Sequence, residues 1–437
     1  MQQTSKMDLK QLENVMKDPE KTQISSHHIQ NKPPPPPLDS ASALQAFLDH
    51  IPISSIPGIK NSPELQVLEL NAGNSVRDAT ELLFENNLCG APIADVPDPD
   101  HTTTIGRFSD RYIGFIDLAS IILWSLQKCE NDHIQTKDNA SDEPSKSGFF
   151  TMLEQIPQIG RTKQIGELAK SFLWDSFFPI RLDDTLFHVL LLLSKHRLNV
   201  VPVIERPASQ IMGFVTQNAV VQLLLQSDGL DWFDGIADKA LSEFRLENED
   251  HVVQVYGDQS VAEAVQILCR NRVGVIAVVE QGTERLIGNM RRSDVYLLLE
   301  NDNLYHKRVT LTMEEFIHTD TSKTDSDPTI EQDIGALLSA GALRLRNSFL
   351  LRMDQPVTNK KTDPLKQAMK NLAKTKSCFS FLVDDSHHAT GVLTIRDIIN
   401  QFAPPCVDSS FHGGGFFESA LEQTGCKIEN GTMFCDH

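Results

Sequence analysis

The sequence predicts an α/β protein built from four divergent copies of one helix–strand–strand–helix unit, packed in two pairs into a pseudo-fourfold disk. Three observations predict it. One order of apolar segments returns four times, each return places a Gly near the start of the second strand, and the strands are apolar on successive positions. Such strands must be covered on both faces, and the two helices of one unit cover only one. The units therefore stack sheet on sheet and then pair on pair, which leaves small-ligand clefts at the seams where strand ends and helix N-termini converge.

The first copy reads as a helix over Val76 to Asn87, capped by Ser75 with Asp78 three residues on, then a strand from Ala91 to Val96. A second strand and helix begin at Tyr112. The second copy has a helix over Asp184 to His196, a strand from Asn199 to Ile204, a second strand from Ile211 to Thr216 and a helix from Asn218. The third runs over Ser260 to Asn271 and Val275 to Val279, and resumes at Leu286. The fourth covers Asp363 to Lys374 and Phe379 to Val383, and resumes at Thr390. These give copies at residues 51–128, 151–229, 230–303 and 345–404.

Between and around the copies the composition changes. Residues 1–50, containing Pro33 to Pro37, read as a disordered, partly polyproline II extension. Residues 129–150, rich in Asn, Asp, Ser and Lys, read as a linker, and residues 304–344, with their run of Thr, Asp and Ser, as a linker or insertion. Residues 405–437 read as a tail. His412-Gly-Gly-Gly-Phe-Phe resembles an esterase oxyanion loop, but no nucleophile elbow follows it. Cys406, His412, Cys426, Cys435 and His437 match no zinc-ligand spacing, so no metal is expected.

Asp and Glu number 59 against 40 Lys and Arg, for a formal charge of -19, which repels phosphodiester backbones and anionic lipid. Neither nucleic acid nor membrane is an expected partner. Seven scattered cysteines and an N-terminus without an apolar core fit a reduced protein of the cytoplasm or nucleus. No nucleophile with a base, metal triad or redox pair appears, and the repeats fill nearly all of the folded length, so no catalytic residue is assigned and no enzyme is expected.

After the second strand each copy carries a version of Gly-x-x-(Ser/Thr)-x-x-Asp. This resembles the ligand signature of CBS (cystathionine β-synthase) domains, and four in one chain resemble the γ-type regulatory subunits of AMP-activated and plant SNF1-related kinases. His196-Arg-Leu-Asn-Val-Val-Pro-Val-Ile is similar to the corresponding family strand, and Ser55-Ile-Pro-Gly-Ile-Lys-Asn-Ser-Pro resembles the plant γ-like branch. The resemblance runs from Leu65 to Pro404. It implies a non-catalytic subunit that docks a kinase catalytic (α) subunit and a β-type scaffold subunit. It also implies AMP, ADP, ATP or another adenosyl ligand at inter-repeat clefts, with no cofactor required. The alternative is a ligand-independent interaction scaffold.

On that resemblance, a ribose diol donates two hydroxyls to one carboxylate in the first turn of a helix, and the helix N-terminus faces the phosphate. Copy four has the full set, Gly391, Thr394 and Asp397. Copy three keeps Asp294 and places Arg291 at the hydroxyl position; copy two keeps Thr216 but has Ala219 at the acidic one. Copy one has Asp117 and Ser120 in those two places, in reverse. An Asp in a first helical turn is equally read as a cap. The family's phosphate-reaching basic residues have no counterpart at the aligned positions, where Cys89 and Gly90, Asn199 and Val200, and Cys378 and Phe379 stand, which leaves Arg291, Arg292 and Arg396 as the residues that could compensate.

Overall fold

The structure, a computed structural model, describes residues 44, 47–55, 67–94, 112–135, 148–171, 177–196, 198–205, 210–247, 251–319, 352–403, 426–429 and 432–435. In the first repeat β1 (Leu70–Asn71) is followed by α1 (Val76–Glu85), β2 (Gly90–Ala94), β3 (Tyr112–Asp117) and α2 (Leu118–Gln135). Ser75 caps α1 by accepting from the Asp78 amide, and Val76, Ala79 and Leu83 bury one face at helical spacing. The strands form a three-stranded sheet with β1 parallel to β2 and β3 antiparallel to it.

The same order recurs three times. After α3 (Phe149–Gln155) and α4 (Ile165–Ser171), the second repeat runs β4 (Ile180–Arg181), α5 (Leu186–Lys195), β5 (Val200–Glu205), β6 (Gln210–Thr216) and α6 (Gln217–Leu225). Following α7 (Asp231–Ala237), the third runs β7 (Gln254–Tyr256), α8 (Val261–Asn271), β8 (Val275–Val279), β9 (Leu286–Arg291), a 3-10 turn and α9 (Tyr296–Glu300). Beyond α10 (Asp302–Lys307) and α11 (Met313–Ile317), the fourth runs β10 (Thr358–Asn359), α12 (Leu365–Thr375), β11 (Phe379–Val383), β12 (Ala389–Thr394) and α13 (Ile395–Phe402). All four sheets share one topology and one strand order. The leading strand of each, two or three residues long, is too short to show the alternation that marks a strand in sequence.

Within each pair the repeats exchange their leading segments. Residues 47–55 lie on the second repeat, where the Ile53 amide donates to Asp184 O at 2.8 Å and Leu186 N to Ile51 O at 2.9 Å. In return α3 and α4 complete the first: Ile165 N reaches Asn74 O at 2.8 Å and Val76 N reaches Lys163 O at 3.0 Å. The other pair repeats the exchange. Leu241 N donates to Asp363 O at 2.9 Å from the segment that follows α7, and Met313 N donates to Gln259 O at 2.8 Å.

Side-chain packing closes the four repeats into a cycle. Tyr112 and Phe115 pack against Val200, Ile211 and Phe214, joining the first two sheets face to face. Val275, Ala277 and Val279 pack against Phe379, Phe381 and Val383 and join the other two. The helix layers then link the first repeat to the third in one core and the second to the fourth in another. This is the predicted disk of two pairs, made because every apolar strand face meets a sheet on one side and helices on the other.

Several sequence boundaries shift. α2 continues through Gln135, into the stretch read as a linker from residue 129. α10 and α11 lie in or across the stretch read as an insertion from residue 304; Thr312 caps α11 with a reciprocal Glu315 box, and Met313, Phe316 and Ile317 are buried. These helices carry enough apolar surface to complete the third repeat, which a charged composition concealed. Leu44 and Leu48, within the segment read as a disordered extension, belong to the core of the second and fourth repeats. The tail contains a hairpin of β13 (Cys426–Glu429) and β14 (Thr432–Cys435). The proline run, residues 136–147, residues 320–351 and the His412 segment lie outside the described residues.

Candidate functional site

The recurring glycine has a local structural cause. In every repeat the ladder between second and third strands shifts register beside it: Ile93 pairs Gly114, Val203 pairs Gly213, Val278 pairs Gly288 and Leu382 pairs Gly391, with a bulge at the next residue. A bulge with a close backbone neighbour favours the residue that has no side chain. From there the strand runs three residues to the N-cap of the following helix.

At that N-cap the fourth repeat forms a reciprocal box. Asp397 Oδ2 accepts from the Thr394 amide at 2.8 Å and the Thr394 hydroxyl at 2.6 Å, while the Asp397 amide donates to Thr394 Oγ1 at 3.1 Å. The other oxygen, Oδ1, accepts from the backbone amide of Glu247 at 2.9 Å, and Asp397 is only 2% exposed. Glu247 also faces Arg396, with Oε2 and Nη1 3.5 Å apart. Both oxygens a diol needs are therefore already engaged, one by a segment arriving from the start of the third repeat.

The third repeat holds its carboxylate more tightly. Arg291 donates its backbone amide to Asp294 Oδ2 at 2.7 Å, and its Nε lies 3.0 Å from both carboxylate oxygens. Both side chains are buried, so the pair is a desolvated, charge-assisted bridge. Arg291 thus serves its own carboxylate.

The first repeat carries the inverted box. Asp117 Oδ1 accepts from the Ser120 amide at 2.7 Å, and the Ser120 hydroxyl donates to Asp117 Oδ2 at 2.6 Å. Arg292, from the third repeat, reaches across the seam to Asp117 Oδ2 at 3.4 Å and also contacts the Ser120 hydroxyl. In the second repeat Thr216 caps α6 by accepting from the Ala219 amide at 3.3 Å. The neighbouring Asn218 donates to Cys378 Sγ of the fourth repeat at 3.4 Å. Cys89 sits beside Asp117, and burial, then that negative charge, push its thiol up to about 12.

Of the sequence-derived residues, the structure joins Thr394 and Asp397 in one cap, with Gly391 three residues earlier in β12, and Arg291 with Asp294 in another, and leaves Thr216 on the second repeat's own helix. Sequence reading named Arg292 only as a residue that could reach a phosphate; the structure turns it instead onto Asp117 and Ser120 across the seam. Sequence reading missed Glu247, whose contribution is a main-chain amide and has no sequence signature. Among the described residues no group of three or more potential metal ligands gathers, and no helix is long and apolar enough to cross a membrane.

The CBS domain family matches residues 353–403, which span the fourth repeat from before β10 to the end of α13. The other three share its strand order, register and bulge. The fourth repeat thus matches a CBS domain, and the other three repeat its topology. Two Arabidopsis thaliana proteins resemble it over most of its length: SNF1-related protein kinase regulatory subunit gamma-1, 26% identical over 405 residues, with 88% of this chain and 89% of that protein covered, and the gamma-1-like subunit, 25% identical over 430 residues, covering 84% and 89%. A solved archaeal structure from Methanocaldococcus jannaschii, described as a homolog of g-AMPK, is similar at 13% identity and a TM-score of 0.48, covering 78% of this chain and 97% of that one. The chain is thus similar over most of its length to plant proteins named as γ-type kinase regulatory subunits.

Proposed function

We propose that this CBS-repeat chain is a non-catalytic γ-type regulatory subunit, assembling with a Ser/Thr kinase catalytic (α) subunit and a β-type scaffold subunit of the SNF1-related class. The observation that carries the reading is that likeness to a named γ subunit extends over 88% of this chain and 89% of that relative, so it is not confined to the one repeat that the family model matches. Co-expression with plant α and β subunits tests it. A ternary complex that co-elutes on size exclusion is the expected result; an αβ pair eluting separately from this chain sinks the proposal.

An adenosyl ligand belongs at the Asp397 seam on this reading. Displacing the Glu247 amide from the Asp397 carboxylate forfeits about 1.5–3 kcal/mol, whereas opening the buried Arg291–Asp294 bridge costs about 3–5 kcal/mol. A diol therefore competes with the chain's own groups more easily at the fourth repeat than at the third.

A second reading, a ligand-independent scaffold, is favoured by a specific observation: the carboxylates of the first, third and fourth repeats all have partners from within the chain. Melting curves separate the two. Ligand use predicts that millimolar AMP, ADP, ATP or S-adenosylmethionine raises the melting temperature and that Asp397→Ala removes the rise. A flat response to all four supports the scaffold.

A further inference from the structure

The tail hairpin places two cysteines opposite each other. β13 and β14 pair antiparallel with Cys426 opposite Cys435, Lys427 opposite Phe434, Ile428 opposite Met433 and Glu429 opposite Thr432. Residues facing each other in an antiparallel ladder have Cα atoms about 4.5 or about 5.5 Å apart, depending on whether the pair is hydrogen-bonded. Both values fall inside the roughly 4.4–6.8 Å across which a disulfide closes. A two-stranded hairpin is marginal in water by itself, so a bond between its open ends would restrict the unpaired chain and favour the paired one.

We infer that Cys426 and Cys435 form a reversible dithiol–disulfide pair, a covalent redox modification site at the base of the C-terminal hairpin. The oxidant is a low-molecular-weight disulfide of the glutathione class. One cysteine thiolate attacks a sulfur of that disulfide and releases one small thiol, leaving a mixed disulfide. The register partner then attacks the protein-bound sulfur of the mixed disulfide and releases the second small thiol. The protein loses two protons and two electrons, and the small disulfide gains them. The closed ring comprises the ten residues from Cys426 to Cys435.

Among the described cysteines of the repeats Cys378 is the exposed one, and desolvation raises its thiol from the ordinary value. Cys129 is buried in the core of the first and third repeats, and burial pushes the Cys269 thiol up to about 11. With Cys89 at about 12, the Cys89 and Cys269 thiols stay protonated at neutral pH, and the thiol form is the unreactive one.

The test uses the full chain. It is equilibrated in glutathione buffers of increasing oxidised fraction, the free thiols are blocked, and digestion with mass spectrometry maps the bonds. The expected result is a peptide bridged between Cys426 and Cys435 and the loss of two blockable thiols per chain, reversed by dithiothreitol. In Cys435→Ser the remaining Cys426 should stop at the glutathione adduct, as should Cys435 in Cys426→Ser. Both cysteines remaining blockable at the most oxidising ratio would overturn the inference. So would bridges that join either one to Cys406 or to a second chain.

Discussion

Arg291 and Asp294 show how a residue read as a ligand contact can be absorbed by its own helix cap. The guanidinium covers both oxygens of a carboxylate that is 3% exposed, so neither group is solvated without the other. Arg291→Ala strands a buried charge and should destabilise the protein by about 3–5 kcal/mol. Urea unfolding of the purified chain measures this. The Arg291→Met, Asp294→Leu double variant, with neither charge left, should recover most of the loss; equal loss in both variants would mean that packing, and not the stranded charge, sets the cost. The caps at Thr394 and Asp397 were legible because a capping box has a fixed spacing. Glu247 was illegible because its amide could belong to any residue type.

At the scale of elements, helices and long strands were readable from their periods: β8 and β11 fall where the sequence places them. The leading strands escaped because two or three residues define no period, and α10 and α11 because a charged stretch masked a short apolar stripe. The glycine signal was legible, but its reason is the bulge and the close crossing of a neighbour. At Gly288 a Cβ would lie 2.6 Å from Ile317 Cδ1 and 2.9 Å from Met353 O. That carbonyl also accepts from the Asn289 amide at 2.9 Å, so it cannot retreat freely. Gly288→Ala should therefore cost about 1–3 kcal/mol, read as a lower urea midpoint. Gly274→Ala is the control, because a Cβ there meets nothing within 4 Å and its midpoint should stay near wild type.

For the whole molecule, sequence patterning was enough to count four units and to require that they stack. It could not say which unit each amphipathic segment covers, because an apolar face marks burial without naming its partner. That is why boundaries drawn along the chain run across the exchanged segments between Ile51 and Leu186, and between Lys239 and Leu365. The exchange has an evolutionary corollary. A cut between the first two repeats would hand each fragment a piece that caps its neighbour and deprive it of the piece that caps itself. The smallest stretch that duplication or shuffling can move intact is the couple, and single units diverge only inside it.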